Sequence, residues 1–219
     1  MSRKIKLNFK AVIFDMDGVI TNTMPYHFDA WLETFKKSGI RVNCYDVYER
    51  EGQDGSTSVR EIFQKYGRRY DPAEARRILA YKEKLFKRIV KIKFIKGSRP
   101  FIRMLKKRKF RLALVTGTSR HEMQKILPRS LRGSFEAIIT GDEVKKGKPD
   151  PGSFLKALRM LKIQAKDAFV LENAPFGIEA AKKAGLFCVA LETSLPKKYL
   201  SRADRIFGSY EKLKEALNF

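Results

Sequence analysis

Ala11-Val12-Ile13-Phe14-Asp15-Met16-Asp17-Gly18-Val19 is the stretch that decides how this chain reads. Four apolar residues in a row, cut off by a polar one, read as a buried strand. Two carboxylates two positions apart at its C-terminal end have no packing role, because Asp is rarely buried without a partner. Gly18 lets the backbone turn away at once, and an open parallel sheet keeps its active site beyond the carboxyl ends of its strands. Asp15 and Asp17 are therefore the first candidates for chemistry. Taken alone, the stretch also admits a pair of turn aspartates closing a strand.

Working outward, short apolar runs recur at 112–115, 137–140, 169–171, 187–191 and, weakly, 204–207. Between them, Phe101, Ile102 and Leu105 share one helical face, Phe154, Leu155, Leu158 and Leu161 another, and Ile178, Ala181 and Ala184 a third. Strands alternating with helices of about ten to fifteen residues predict a parallel sheet with helices on both sides: an α/β, Rossmann-like sandwich. The interval 21–95 breaks this rhythm, being too long for one crossover helix, and it carries helical patterns at 25–37, 57–66 and 72–90. In the last of these, Ile78, Leu79, Leu85, Phe86, Ile89 and Val90 fall on one apolar face. The expectation is a helical domain, residues 21–95, inserted into a core made of residues 1–20 and 96–219.

The chain of 219 residues carries 47 basic and 24 acidic side chains, a formal charge of +23. Residues 84–120 contain no carboxylate, while Lys84, Lys87, Arg88, Lys91, Lys93, Lys96, Arg99, Arg103 and the run 106–109 crowd together. Such a stretch can be a footprint for nucleic acid or an anionic surface. The preferred reading is solvated helix faces whose field attracts anionic substrates, because no aromatic-interleaved platform and no nucleic-acid-binding signature accompanies the charge. Nucleic acid is thus not the expected partner. Cys44 and Cys188 are too few for a disulfide framework or a zinc site. The start, residues 1–6, is basic, but the apolar stretch after it stops at Asp15, short of a signal peptide or a membrane span. A cytoplasmic protein without membrane attachment, monomeric or weakly dimeric, is expected.

Three further segments follow successive predicted strands. Thr116-Gly117-Thr118-Ser119 offers hydroxyls and glycine-freed amides leading into a helix, which makes an anion cradle, a helix cap, or both. Gly147-Lys148-Pro149-Asp150-Pro151 presents a lysine in a turn stiffened by prolines. Glu172-Asn173-Ala174-Pro175-Phe176-Gly177 sets an acid and an amide at a strand end, with Pro175 suited to a helix start; Asn173 as a simple cap is the alternative.

The order Asp-x-Asp-Gly, Thr, Lys-Pro and acidic strand end resembles the haloacid dehalogenase superfamily of phosphohydrolases over nearly the whole chain. Within it the chain is similar to subfamily I, the beta-phosphoglucomutase and phosphoglycolate phosphatase branch, whose helical cap is inserted after the first motif. Gly18-Val19-Ile20-Thr21, Tyr26-His27-Phe28, Ala30-Trp31 and Pro175-Phe176-Gly177-Ile178-Glu179-Ala180-Ala181 carry the likeness further.

The resemblance implies that Asp15 is a nucleophile forming an aspartyl-phosphate and that Asp17 is the general acid and then base. It implies magnesium held by the Asp15 carboxylate, the main-chain carbonyl of Asp17 and the Asn173 side chain. Thr116, Gly117 and Thr118 would hold phosphoryl oxygens, Lys148 would offset charge, and Glu172 would orient Lys148 or a metal-bound water. Asn173 departs from the family pattern, where an aspartate is usual; one negative charge is lost, which predicts weaker magnesium binding and leaves an impaired relative open. Thr23 and His27 match positions that couple cap closure to the acid and base aspartate in beta-phosphoglucomutases. Against a mutase, Glu51-Gly52-Gln53-Asp54-Gly55-Ser56 aligns with the segment where mutases carry a lysine and an arginine, and neither is present, leaving Lys82 or Arg50 to substitute. The expectation is a phosphatase of small phosphorylated metabolites, sugar phosphates foremost. The alternatives are a phosphosugar mutase of the beta-phosphoglucomutase type, or a catalytically weakened protein of this fold that binds nucleic acid or another anionic partner.

Overall fold

The computed structural model describes residues 9–217, so the basic start, residues 1–6, lies outside the described residues. Six strands, β1 (Ala11–Phe14), β2 (Arg111–Val115), β3 (Ala137–Ile139), β4 (Ala168–Glu172), β5 (Phe187–Leu191) and β6 (Arg205–Phe207), form one sheet in the order β3-β2-β1-β4-β5-β6. Every neighbouring pair is parallel. The expected α/β sandwich is what the chain forms, and each apolar run is a strand to within a residue or two.

Alternation along the strands sends successive side chains to opposite faces, and each face has its own core. Val12, Phe14, Leu112, Leu114, Phe169 and Leu171 pack on one side against α5 (Ser98–Lys107), α6 (Arg120–Ile126) and α10 (Tyr210–Ala216). Ala11, Ile13, Ala113, Val115, Val170 and Cys188 pack on the other against α8 (Gly152–Leu161) and α9 (Pro175–Lys183). A short α7 (Arg129–Arg132) completes the crossover to β3. On α5 the inner face buries Phe101, Ile102 and Leu105, while Arg103 and the run 106–109 stay exposed, as do Lys91, Lys93 and Lys96 before it. Among the described residues no helix is long and apolar enough to cross a membrane.

Between β1 and α5 the chain forms α1 (Met24–Lys37), α2 (Cys44–Tyr48), α3 (Gly55–Lys65) and α4 (Pro72–Ile89). Local chemistry starts three of them: Asn43 and Asp46 close a reciprocal capping box on α2, Asp54 caps α3, and Asp71 caps α4 with Pro72 in its first turn. Phe35, Val47, Val59, Ile62, Phe63 and Ile78 give these helices an apolar cluster of their own. The stripe on α4 serves two cores: Ile78 joins that cluster, whereas Leu85 and Phe86 join the core on the sheet. The chain leaves the sheet and returns to it at one place. Thr21 bridges to Phe94, the Asn22 N–H donates to the Lys93 carbonyl at 2.8 Å, and the Ile95 N–H donates to the Ile20 carbonyl at 2.9 Å.

Candidate active site

Asp15 comes directly after β1, and its N–H still donates to the Leu171 carbonyl of β4 at 3.0 Å. Its carboxylate therefore stands between β1 and β4, where the strand order reverses and open sheets leave a crevice. Gly18 turns the chain at φ +85°, and a Cβ there would collide with the Asn173 amide and the Ser194 hydroxyl. The left-handed turn and the crowding together exclude a side chain at that position.

Lys148 reaches across to this point fully buried: its Nζ donates to Asp15 Oδ1 at 2.7 Å and to Glu172 Oε1 at 2.5 Å. The other Glu172 oxygen accepts the main-chain N–H groups of Asn173 and Ala174 at 2.9 and 3.3 Å. Glu172 thereby holds the segment leading into α9, whose start has no side-chain cap from Asn173 or any other residue, and it orients Lys148. Flanked by two carboxylates, Lys148 is held charged, well above its usual range despite burial. Burial pushes Asp15 up to about 8, with Lys148 opposing and Glu172 and Asp17 adding to the rise.

Asp17, also buried, is enclosed by donors. Thr23 Oγ1 donates to its Oδ1, Thr118 Oγ1 donates to Oδ2 at 3.0 Å, and Thr116 Oγ1 lies 3.4 Å from Oδ2. His27 Nε2 stands 3.5 Å from Oδ1, while Lys82 Nζ lies 3.1 Å from His27 Nδ1. An ammonium can only donate, so Nδ1 is the acceptor and the ring proton belongs on Nε2, facing Asp17. Burial, with Lys82 beside it, keeps His27 below its usual value and hence neutral. Burial pushes Asp17 up, but the donors from His27, Thr23 and Thr118 outweigh it and leave Asp17 lowered. The two aspartates are thus split, Asp15 up and Asp17 down.

Of the two expectations for Thr116-Gly117-Thr118-Ser119, the helix cap is present. The Thr118 N–H donates to Thr116 Oγ1 at 3.1 Å, and Ser119 caps α6. A Cβ on Gly117 would lie 2.8 Å from the Gly52 Cα, so close approach of two backbones is what this glycine permits.

Two buried oxygens at the site have no hydrogen-bond partner: Asp15 Oδ2 and Asn173 Oδ1. The Asn173 amide donates from Nδ2 to Ser194 Oγ at 2.9 Å, which leaves its oxygen for the site. Unsatisfied buried acceptors are costly, and carboxylate and amide oxygens are donor types that suit a hard cation. Asp15 and Glu172 share Lys148, while Asp17 faces His27 with Lys82 behind it. Among the described residues no group of three or more His, Cys, Asp or Glu side chains could hold a metal by itself.

A cleft of about 350 Å³ opens over the site, lined by Thr116, Gly117, Thr118 and Lys148 from the sheet edge and by His27, Glu51, Gly52 and Lys82 from the helical segment. The loop before α3 closes on the core, with the Lys148 N–H donating to the Gly52 carbonyl at 3.0 Å. Tyr45 of α2 stacks on Tyr199 with ring centroids 4.8 Å apart, and Lys87 of α4 pairs with Glu122 of α6 at 3.0 Å. The two cations considered for the distal end, Arg50 and Lys82, both line the cleft. Arg50 is already engaged there: it bonds Glu49, Glu61 at 3.2 Å and the Asp46 carbonyl at 3.0 Å. Of the site residues singled out by sequence, His27, Thr116, Gly117, Thr118 and Lys148 line the cleft, and Asp15, Asp17, Thr23, Glu172 and Asn173 join them through the hydrogen bonds above; Ser194 was missed, and Gly177 was read only as part of a motif. Ser194 follows β5 at the same edge of the sheet, which is the signal that could have found it. Gly177 passes under the Glu172 carboxylate, where a Cβ would collide with it.

Residues 12–191 match the family of haloacid dehalogenase-like hydrolases. The chain is 33% identical over 186 residues to the phosphorylated carbohydrates phosphatase of Thermotoga maritima, covering 81% of this chain and 82% of that protein. It is 33% identical over 195 residues to the beta-phosphoglucomutase of Bacillus subtilis, covering 85% of each. Its fold matches the crystal structure of CbbY from Rhodobacter sphaeroides in complex with phosphate at a TM-score of 0.78 and 26% identity, over 96% of this chain and 100% of that one.

Proposed function

The chain belongs to the haloacid dehalogenase-like hydrolases, and on that premise we propose that it is a magnesium-dependent phosphatase of small phosphomonoesters, sugar phosphates foremost, acting through an aspartyl-phosphate on Asp15. Relatives named for phosphorylated carbohydrates and for fructose 1-phosphate support the substrate class. One observation carries the chemistry: Asp15 Oδ1 is held by Lys148 while Oδ2, with Asn173 Oδ1, stands buried and unpartnered. We also read residues 21–95 as a cap on a core of residues 1–20 and 96–219. The separate apolar cluster of the helices and the paired crossing at Thr21 and Phe94 support this division. Two free cysteines suit a reducing, cytoplasmic setting.

In this reading Asp15 Oδ1 attacks phosphorus, and the ester oxygen leaves with a proton from Asp17. Asp17 then takes a proton from water, whose oxygen attacks the phosphoryl group and frees Asp15. Thr116 and the Gly117 N–H receive phosphoryl oxygens, and Lys148 offsets the charge that accumulates on them. Glu172 keeps Lys148 aimed. Magnesium would be held by Asp15 Oδ2, Asn173 Oδ1 and the Asp17 carbonyl. When bound it supplies positive charge that lowers Asp15 and neutralises the phosphoryl group. The first step needs the proton on Asp17 and not on Asp15, the reverse of the split described above; a phosphoryl dianion beside Asp17 pushes it up in the required direction.

A second reading, a phosphosugar mutase, is favoured by one contact set: Thr23 and His27, at the start of the helical segment, both address Asp17. Cap position and the proton on Asp17 are then linked. A mutase must also shield its phospho-aspartate from water and grip a second phosphate, and the engagement of Arg50 with Glu49 and Glu61 weighs against that. The test is phosphate release from an aryl phosphate and a panel of sugar monophosphates with magnesium. We expect release, abolished in Asp15→Asn and slowed in Asp17→Asn with phosphate still bound. Isomerisation of a sugar phosphate without release selects the mutase; inertness towards every ester refutes both.

A further inference from the structure

Independently of the phosphatase reading, we propose that the basic face made by the end of α4, the strap 90–97 and the outer side of α5 grips duplex nucleic acid by its phosphate backbone. Residues 84–109 hold twelve cations and no carboxylate, more than half of the net charge of +23. The fold gathers them on one side of the sheet, because Leu85 and Phe86 of α4 pack into the same core as Phe101, Ile102 and Leu105 of α5. Lys84, Arg88, Lys91, Arg99, Arg103 and Lys106 are left exposed. On α5 the last three stand four and then three residues apart, which makes one stripe about 10 Å long.

None of these six side chains forms an ion pair with any described residue; Arg99 lies over the Phe94 ring, 5.0 Å from its centroid. The carboxylates that adjoin the face are placed otherwise: Glu122 pairs with Lys87 at 3.0 Å, Glu83 lines the cleft, and Glu211 of α10 stands by Gly97. Like charges one helical turn apart repel, as Lys84 and Arg88 do, and Arg99 and Arg103, so the run opposes folding unless an outside anion offsets it. The six lie outside the cleft, which has Arg50, Lys82, Lys145 and Lys148 of its own to meet a substrate. A duplex carries one negative charge per about 1.7 Å of axis, so the stripe on α5 faces several phosphates at once. Single strands are held by stacking on exposed aromatic rings, whereas every aromatic side chain within 84–109 is buried or half-buried. A bilayer calls for an apolar anchor beside the charge, and Ile92 is the one large apolar side chain exposed in this stretch. Backbone contacts of this kind hold a duplex without reading its sequence.

Fluorescence anisotropy of the full chain with a labelled DNA duplex of about 20 base pairs and mixed sequence tests this, in sodium chloride from about 50 to about 200 mM. We expect binding at the lowest salt and a loss of affinity of about 10³ across the range. Combining Arg99→Gln, Arg103→Gln and Lys106→Gln should weaken binding at least about tenfold and flatten the log–log salt slope by about 2–3, since each phosphate contact contributes about one. A matched variant, Arg159→Gln with Lys162→Gln and Lys166→Gln, removes the same charge from the α8 side of the sheet and should bind nearly as the parent does. The proposal is overturned by no binding at the lowest salt, by equal weakening in the two triple variants, or by tighter binding of a single strand of the same sequence. Binding to phosphatidylserine vesicles and not to the duplex overturns it in favour of a membrane. A fall in phosphate release with duplex binding unchanged in the α5 variant assigns the face to substrate attraction and overturns it too.

Discussion

The main-chain N–H of Lys148 donates to the carbonyl of Gly52 at 3.0 Å, so the residue that grips Asp15 is also the one on which the helical segment closes. The approach depends on Gly52 having no side chain. Its φ is +77°, and a Cβ would stand 2.5 Å from the Lys148 Cδ. Gly52→Ala adds left-handed backbone strain of about 1–2 kcal/mol and pushes on Lys148. We expect kcat/KM for a sugar monophosphate to fall about tenfold or more, beyond what a thermal midpoint lowered by about 2–8 °C explains when the rate is read where the variant is folded. Unaltered kinetics would show that turnover does not pass through this closed contact.

Gly177 supports Glu172 from beneath, where a Cβ would overlap the carboxylate. Gly177→Ala must displace Glu172 from Lys148 or shift α9. An overpacked site of this kind costs about 1–3 kcal/mol. The thermal midpoint should drop by several degrees, and phosphate release should fall further than stability explains, because Lys148 loses the acceptor that aims it. The pair of measurements is a melting curve and a steady-state rate at a temperature where the variant is folded. A variant that melts lower but turns over normally would detach Glu172 from any part in catalysis.

How much of this could be read from the chain depended on whether the signal was local. Strand β1 was legible because four apolar residues meet two carboxylates, and Lys148 because prolines bracket a turn after a strand. The sheet edge then did the assembling, as it does in any parallel α/β fold. The stripe on α4 was legible as apolar, but not as divided: that Ile78 serves one core and Phe86 another is a property of the packing. The five-residue α2 lacks the length for a periodic signal and is held by the reciprocal cap between Asn43 and Asp46. Arg50 looked available for a distal phosphate because no sequence pattern announces its contact with Glu61, eleven residues away. The fate of Asn173 was likewise invisible, since Ser194, which orients its amide, lies across the sheet edge.

Asn173→Asp restores a charged oxygen where the amide oxygen now stands unpartnered. Ser194 can adapt, because its hydroxyl donates as readily as it accepts. A carboxylate attracts a divalent cation more strongly than a neutral carbonyl, so magnesium should bind about tenfold tighter or better. Calorimetric titration of magnesium in the absence of substrate checks this. Identical affinities in the two proteins would remove Asn173 from the ligand set.

Asp46 gives the helical segment its pH dependence. Its side chain is buried and collects the Lys65 ammonium, the Tyr66 hydroxyl at 2.7 Å and the Asn43 N–H at 2.9 Å. Burial pushes its carboxyl up, but these donors outweigh burial and leave it below the usual carboxylate range. A lowered folded-state value means stability present above the unfolded value, near pH 4, and lost as pH falls through the folded one. Tyr66 has the opposite sign: raised to about 12 by burial and by Asp46, it contributes below pH 10 and ceases to as pH rises through its folded value. Asp46→Ala should cost about 2 kcal/mol at neutral pH, a drop of about 4–8 °C in thermal midpoint. Below about pH 4 the gap between variant and parent should narrow, because the protonated carboxyl no longer attracts Lys65. Melting curves from pH 3 to pH 8 for the two proteins measure this, and a gap that stays constant across the range would show that packing around residue 46, not its charge, holds α2 against α3.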